Sequence, residues 1–593
     1  MFVLAGVAIG LFMALALGGR PSRITSSVRF RYPWLVFFVL ALQGATFLGP
    51  AALREGSRGD VLYLLSLALL LVFAAENLEV RSILPVFAGM LCNSIAIAAN
   101  GGTMPVAPGA LREAGIAIDA GSNIGVEAPH LRFLGDIFAL PAGWPVANVF
   151  SIGDILIVGG TALFIVLKSF DSELIGVIRP QHMLAPLRVS GYRRLALATL
   201  VSRIGDWLTV AALIGWIYER TQSTGHVAAV MLIRLAPPIV GGGVAALVVD
   251  RFAKERLLAS IEVMRGLAVL VALSGVASGR LVVVFAALAA SGLLAAVSAV
   301  GVPSIVPELL EEKDLGAANA GLGVSQDAAL ALGALTAGIT LSSTNVGVAL
   351  VADAATFALA ACLYLVLSPR GLAVARSAER EGERLGIVTG LRYIAQRRIL
   401  VTVLFTFAVA TLATGLANAT LPSFLAELDL GAGAYGFALA ALGAGLVLGE
   451  AFTGIVRIGQ RGTRWMPVAL ALMAVAFAAL ASTGHVLTAF FFLGVIGFLD
   501  GTTDVLFDTI VQRETEGPFL GRVFGLGSAF FTTTMMFAVA SAPLLTAVAA
   551  PDRVLLLAGG FALVAALVAG FGLRSGRRPV PAAADPPGAA VAR

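Results

Sequence analysis

Ala245-Ala246-Leu247-Val248-Val249-Asp250-Arg251-Phe252-Ala253-Lys254-Glu255-Arg256 carries the most information about architecture. It sets a short run of charge between two long apolar segments. In a chain with 59% hydrophobic and 13% charged residues, such a hinge reads as a loop between two membrane-spanning helices. Its basic residues put it on the cytoplasmic side. Soluble domains carry about 25% charged residues, so this chain lacks the charge to keep a soluble surface wet and belongs in a bilayer. The apolar runs have the length of helices and show no strand-sized alternation, which argues against a β-barrel and predicts an all-α polytopic membrane protein.

The net charge of +5 matters less than its placement. Lys and Arg gather at alternate ends of apolar segments, a membrane-topology pattern rather than a nucleic-acid surface. Cys92 and Cys362 lie far apart inside apolar segments and read as small buried hydrophobes. His130, His182, His226 and His485 fall in loops or at span ends without metal-ligand company, so no metal site is expected. No phosphate-cradling Gly-x-x-x-x-Gly-Lys-Ser/Thr run and no Gly-x-Ser-x-Gly nucleophile motif occurs, so neither ATP-driven export, a cofactor nor an enzyme is expected.

Two blocks follow one another. Residues 1–170 hold spans near 2–19, 32–50, 61–76, 83–99 and 150–167, with a polar, Gly/Pro-rich loop over 100–149. The basic cluster Arg20, Arg23, Arg29 and Arg31 follows the first span, so the N-terminus is expected outside and the long loop with it. After a cytoplasmic linker at 171–194, a second block has six spans within 195–367 and six within 399–573. A charged cytoplasmic linker at 368–398, with a surface helix, joins these halves, and a disordered tail at 574–593 ends the chain inside. The basic loops of the second block all face one side, and the opposite loops are short and nearly uncharged. The odd span count of the first block agrees with that orientation. The expected location is the cytoplasmic (inner) cell membrane.

From about 190 to 575 the chain resembles the major facilitator superfamily, and within it the bacterial drug and macrolide-type efflux permeases. The resemblance rests on an ordered set: Ser202-Arg203-Ile204-Gly205-Asp206-Trp207, Pro237-Pro238 before the glycines 241–243, Asp250-Arg251 with Lys254 and Arg256, and Glu262 with Arg265. Pro303, Pro307-Glu308, Ala318-Asn319, Gln326, Gly333, Gly338, Val511-Gln512 and Gly521-Arg522-Val523 continue it. Two departures are visible. The family's loop glycines are replaced by Ala246 and Ala253, and the matching loop at Arg457–Arg464 has no Asp. The first block resembles an uncharacterised family of small bacterial membrane proteins through Asn100-Gly101-Gly102-Thr103-Met104-Pro105-Val106, a run that reads as a fixed turn beyond a helix end or as a ligand site.

The resemblance implies two six-helix bundles that rock around a central site. It also implies a gating loop of Asp250, Arg251, Lys254 and Arg256 whose Asp approaches Arg522 and the eleventh span in one state. Ionisable residues inside spans are costly and mark a pathway or a partner. Asp206 pairs with Arg203 one turn earlier or takes part in coupling, and Glu262 with Arg265 reads the same way. Asp353 reads as structural. Asp327 has no basic residue within a helical turn and needs a proton, water or a partner such as Arg234. Asp500, Asp504 and Asp508 recur every four residues on one helix face, Asp500 being the stronger functional candidate and Asp508 the structural one. Glu450 shares their ambiguity.

The expected function is secondary active transport of a small hydrophobic or amphipathic compound, driven outward by protons. The partners would be that substrate, protons and the lipid bilayer, with no nucleic acid. A transporter-fold sensor or scaffold without turnover is the alternative. A lipid-handling enzyme in the first block ranks last, because Asp119, Glu127, His130 and Asp136 form no recognisable catalytic set.

Overall fold

Nearly every apolar run becomes a helix, because a bilayer offers no partner for backbone N–H and C=O groups outside a helix or closed barrel. The computed structural model describes residues 2–16, 19–24, 28, 30–48, 57–116, 129–144, 147–169, 185–367, 387–428, 430–431, 433–455 and 462–573. The expected residues Asp119, Glu127 and His182, the charged run 376–384, the tail 574–593 and most of the Arg457–Arg464 loop lie outside them, as does the side chain of Asp250.

The first block contains α1 (Phe2–Ala16), α2 (Trp34–Leu48), α3 (Ser57–Glu76), α4 (Leu84–Ala99) and α6 (Ile152–Lys168). As described, α1 and α2 have 15 residues each, which at 1.5 Å per residue reach about 23 Å, short of the roughly 30 Å hydrocarbon core. They cohere by close approach. A Cβ on Gly6 would stand 2.8 Å from Thr161 Cβ, and one on Gly10 2.9 Å from Ala162 Cα, so this small-residue pair lets α1 lie directly on α6. Gly89 of α4 meets Gly153 O of α6 in the same way, at 2.4 Å from its would-be Cβ. Ser151 caps α6 in a capping box with Asp154, and Asn93 Nδ2 donates to Asp154 Oδ1 at 2.9 Å.

The stretch expected as a plain loop at 100–149 has structure of its own: α5 (Pro108–Ala114), β1 (Phe138–Leu140) and β2 (Asn148–Phe150), the strands antiparallel with Ala139 opposite Val149. Elements of three to seven residues are too short to leave a periodic trace. The Gly101-Gly102 run does form a turn, with φ of +66° and +99°, conformations that favour glycine. Asn100 fixes it by bonding both the N–H and the C=O of His130.

The small domain built from these pieces docks on the second block. Ala139 N donates to Thr488 Oγ1 at 2.9 Å, Trp144 Nε1 to Ser482 Oγ at 3.0 Å, and Gly484 N to Glu113 Oε1 at 2.9 Å. The rings of Phe138 and Phe150 both pack on Phe491.

The second block has α7 (Ser190–Thr221), α8 (Thr224–Arg251), α9 (Lys254–Ser278), α10 (Leu281–Leu309), α11 (Glu312–Ser343) and α12 (Val346–Leu365) in one bundle. The linker helix α13 (Ile387–Ala395) follows. The other bundle contains α14 (Arg398–Glu427), α15 (Gly433–Ile455), α16 (Gly462–Ser482), α17 (Val486–Glu514), α18 (Gly517–Thr546) and α19 (Pro551–Gly572). Among the described residues eleven helices are long and apolar enough to cross a membrane, all of them in this block. In α8 the side chains of 238–244 lie outside the described set, leaving Thr224–Pro237 as its apolar stretch.

The bundles share a core at one end. Leu208 to Ile217 of α7 share a core with Ala413 to Leu425 of α14 and Ala434 to Ala440 of α15, at the face of short turns. At the basic face, Tyr192, Leu195, Leu258, Ile305 and Tyr364 form a separate core made only of the first bundle. The domain over 100–149 sits on the short-turn face, at the α16–α17 turn.

Two measurements test this description. Asp136 is mostly buried, its Oδ1 has no partner among the described residues, and burial beside Asp154 raises its pKa to about 7. The native state therefore holds this proton more tightly than the unfolded chain, and that stabilisation is lost as pH rises toward and past 7. Asp136→Asn should raise the midpoint of thermal unfolding at pH 8 relative to wild type, with no gain at pH 5; an equal gain at both would contradict the assignment. A Cβ on Gly436 of α15 would stand 2.4 Å from Gly338 N of α11. Gly436→Ala should therefore destabilise by about 1–3 kcal/mol despite alanine's helix propensity, and an unchanged unfolding midpoint would contradict that.

Candidate functional site

Two charged centres lie inside the second block, each built by glycines that let helices touch. The first begins with the motif 202–207 on α7. A Cβ on Gly205 would lie 2.1 Å from Asp353 Oδ1 and 2.0 Å from Thr356 Oγ1, so only glycine lets α12 bring its carboxylate against α7. Ser202 Oγ donates to Glu262 Oε2 at 2.8 Å, and Ser298 Oγ to Glu262 Oε1 at 3.4 Å. Arg265 Nη1 reaches Glu262 Oε2 at 3.5 Å, and its Nη2 bonds Asp206 Oδ1. Phe357 lies under the Arg265 guanidinium, 4.4 Å from its carbon. Glu262, Arg265 and Asp353 are all buried.

This pairing corrects the local one expected from spacing. Asp206 takes Arg265 of α9, not Arg203. Neutralisation of Glu262 by Arg265 is partial, because the guanidinium is shared between two carboxylates. Asp353 is structural on its Thr356 side, where the hydroxyl donates to Oδ1 at 3.1 Å, while its Oδ2 has no partner among the described residues.

A cavity of about 250 Å³ opens beside this network, lined by Arg203, Asp206, Arg234, Arg265 and Asp353 and, from the other bundle, by Thr532 of α18. Arg234 does not meet Asp327. Its guanidinium lies over the Trp207 ring at 3.8 Å and within electrostatic reach of Asp206, Arg203, Arg265 and Tyr435. The stacking role of Trp207 and the part of Thr532 leave no sequence signal, since both depend on helices from distant stretches.

The second centre is acidic. Helices α15 and α17 pack backbone to backbone through two glycine pairs. Cβ atoms on Gly445 and Gly449 would stand 2.0 Å from Gly494 O and Phe498 O, and on Gly497 and Gly501 2.0 and 2.3 Å from Leu442 O and Leu446 O. This contact sets Glu450 near Asp504. Across the seam between the bundles, the carboxyl of Asp327 of α11 faces that of Glu450 at side-chain range. Asp500 and Asp504 lie within electrostatic reach of Asp327, and Asp504 within reach of Glu450 and Asp508 as well. Asp508 is exposed. None of these five forms an ion pair among the described residues.

The expected gating residues are spread along the basic face. Arg251 ends α8 and Arg256 is exposed on α9. Lys254 Nζ bonds Glu308 Oε1 at 2.6 Å and Ser304 O at 3.0 Å, which ties α9 to α10 inside one bundle rather than across the two. Arg522 lies on α18 with its guanidinium 5.6 Å from the Phe519 ring. The start of α18 is held by the linker: Glu516 N donates to Tyr393 Oη at 2.9 Å, Arg397 pairs with Glu516 at 2.5 Å, and Tyr393 stacks on Phe519.

Known structures share this architecture. A bacterial homologue of the human lysosomal transporter Spinster, solved inward-facing and unoccupied, aligns with a TM-score of 0.51 at 13% identity, covering 66% of this chain and 97% of its own. A point mutant of the nucleoside transporter NupG aligns at 0.52 with 12% identity over 64% of this chain and 99% of its own. A D-xylose–proton symporter aligns at 0.51 with 10% identity over 63% and 96%. These likenesses concern the fold alone. No curated protein matches the sequence. At the level of family models, residues 27–166 match the family of unknown function DUF5317. Residues 195–449 match the Major Facilitator Superfamily, and the chain is therefore a multi-pass membrane protein in which that stretch is similar to the Major Facilitator Superfamily and the stretch before it to DUF5317.

Proposed function

We propose that this protein is a secondary active transporter that carries a small amphipathic compound out of the cytoplasm by alternating access, in exchange for protons. The observation that carries the reading is the contact of Asp327 with Glu450 across the seam. Two carboxylates have only acceptor oxygens, so a hydrogen bond between them requires one proton. Two full charges at about 4 Å repel by about 4 kcal/mol at an effective dielectric of 20. Proton loss therefore pushes α11 and α15 apart, which links a titration to the relative position of the bundles. Asp500 and Asp504 extend the acidic group along α17 and offer the proton a route.

The basic face is assigned to the cytoplasm by the positive-inside rule. The bundles share a core toward the short-turn face, and the core at the basic face belongs to the first bundle alone; on this reading the cavity beside Arg234 collects its substrate from the basic, cytoplasmic side. Export, rather than import, also follows the resemblance to efflux permeases. The gating residues Asp250, Arg251 and Arg522 are assigned to closure of the basic face in the opposite state.

The test is accumulation of a panel of amphipathic fluorescent compounds by inverted membrane vesicles carrying an acid-inside gradient. Wild-type vesicles should concentrate at least one compound and lose it on addition of a protonophore. Asp327→Asn should lower accumulation at least tenfold while still exchanging the same compound down its own gradient. Accumulation that ignores the protonophore, or persists at wild-type level in Asp327→Asn, would contradict proton coupling.

A further inference from the structure

Resting on the transport reading above, we infer that the cavity beside Arg234 recognises the negative end of an amphipathic carboxylate, with Arg234 and Trp207 as the recognition pair. Arg234 reaches the cavity from α8, and its Nη1 is shielded from solvent with no hydrogen-bond partner among the described residues. Leaving a charged donor unmet in a water-poor site costs free energy until an acceptor arrives. Of the neighbouring acids, Asp206 and Glu262 both bond Arg265, and Asp353 Oδ1 is held by Thr356 while its Oδ2 bonds neither Arg234 nor any other described residue.

A ligand carboxylate would take the open donor of Arg234, in the planar geometry that suits guanidinium. With Glu262 bonded to Arg265, the three arginines and three carboxylates here balance without a ligand, so the open donor rather than net charge favours an anion. The Trp207 ring 3.8 Å beneath fixes the guanidinium plane. The remaining wall is largely aliphatic, with Val230 and Leu288 among its residues, and suits an apolar body attached to that carboxylate. About 250 Å³ lies at the low end of small-molecule sites. Thr532 closes the cavity from the second bundle, so a bound molecule touches both bodies that alternating access must move.

The measurement is equilibrium binding to the purified full chain in detergent, with 2-naphthoate and its neutral counterpart 2-naphthamide followed by their own fluorescence. Wild type should bind naphthoate saturably and at least tenfold more tightly than naphthamide. Arg234→Gln should bring the two within about threefold, and Arg234→Lys should keep part of the preference, since the charge remains while the planar fork is lost. Absence of saturable naphthoate binding, equal affinity for the two in wild type, or an unchanged preference in Arg234→Gln would overturn the inference. Should Arg234→Gln fail to fold, the wild-type comparison decides alone. No gradient is applied, so loss of proton-driven accumulation leaves this result readable. A failure here likewise leaves the vesicle result intact.

Discussion

Two carboxyl groups can bond each other only while one of them holds a proton, and the seam between the bundles sets two of them face to face. Asp327 comes from α11 in the first bundle and Glu450 from α15 in the second. What forces them together is backbone geometry. Gly338, Gly433 and Gly436 bring α11 and α15 into direct contact toward the short-turn face, and Gly445 and Gly449 press α15 onto α17. A helix pair joined through glycines cannot swing freely, so charge at its other end is felt as a change in bundle geometry rather than absorbed by loose side chains. The rest of the proposed mechanism depends on this coupling of one proton to one seam.

The basic network serves a different purpose. Arg265 binds Asp206 and Glu262 at once and sits on Phe357, so α7, α9 and α12 are held as one body. Breaking such a buried group by removing one partner costs about 3–5 kcal/mol, which makes it a poor candidate for a moving part. Arg234 differs because its charge is not spent on a neighbour. The two centres thus divide the work proposed for them: protons at the acidic seam, a charged ligand at the basic cavity. Thr532 and the Asp327–Glu450 contact are the places where each centre reaches the opposite bundle.

Much of the architecture was legible because apolar length is a strong signal in a chain with so little charge. The helices of the second block stand close to their expected positions, and the four-residue recurrence of Asp500, Asp504 and Asp508 marks one face of α17 as read. Pairing across helices was not legible. Spacing offered Arg203 as the partner of Asp206 and Arg265 as that of Glu262, but Arg265 takes both through α7–α9 packing that no local rule encodes. Asp327 stands out in the sequence by its lack of a nearby cation, and the group that faces it is a carboxyl more than a hundred residues away. The strands and short helix of the 100–149 region escaped notice because three to seven residues cannot display a period. Their docking on Thr488, Ser482 and Gly484 uses backbone groups and hydroxyls, which carry no signature in the sequence.

The most direct test follows the seam itself as protons are removed. Spin labels placed at Phe252 and Gln396, exposed positions on the basic face beside the two bundles, with Cys92 and Cys362 replaced by alanine, report the separation of that end by pulsed electron resonance. Shared protonation of Asp327 and Glu450 predicts a short separation at pH 5 and a growing long-distance population at pH 8. It also predicts that Glu450→Gln, which puts a neutral donor in place of the shared proton, holds the short separation at both. A wild-type distribution that does not change with pH, or a Glu450→Gln variant that responds as wild type does, would contradict the account.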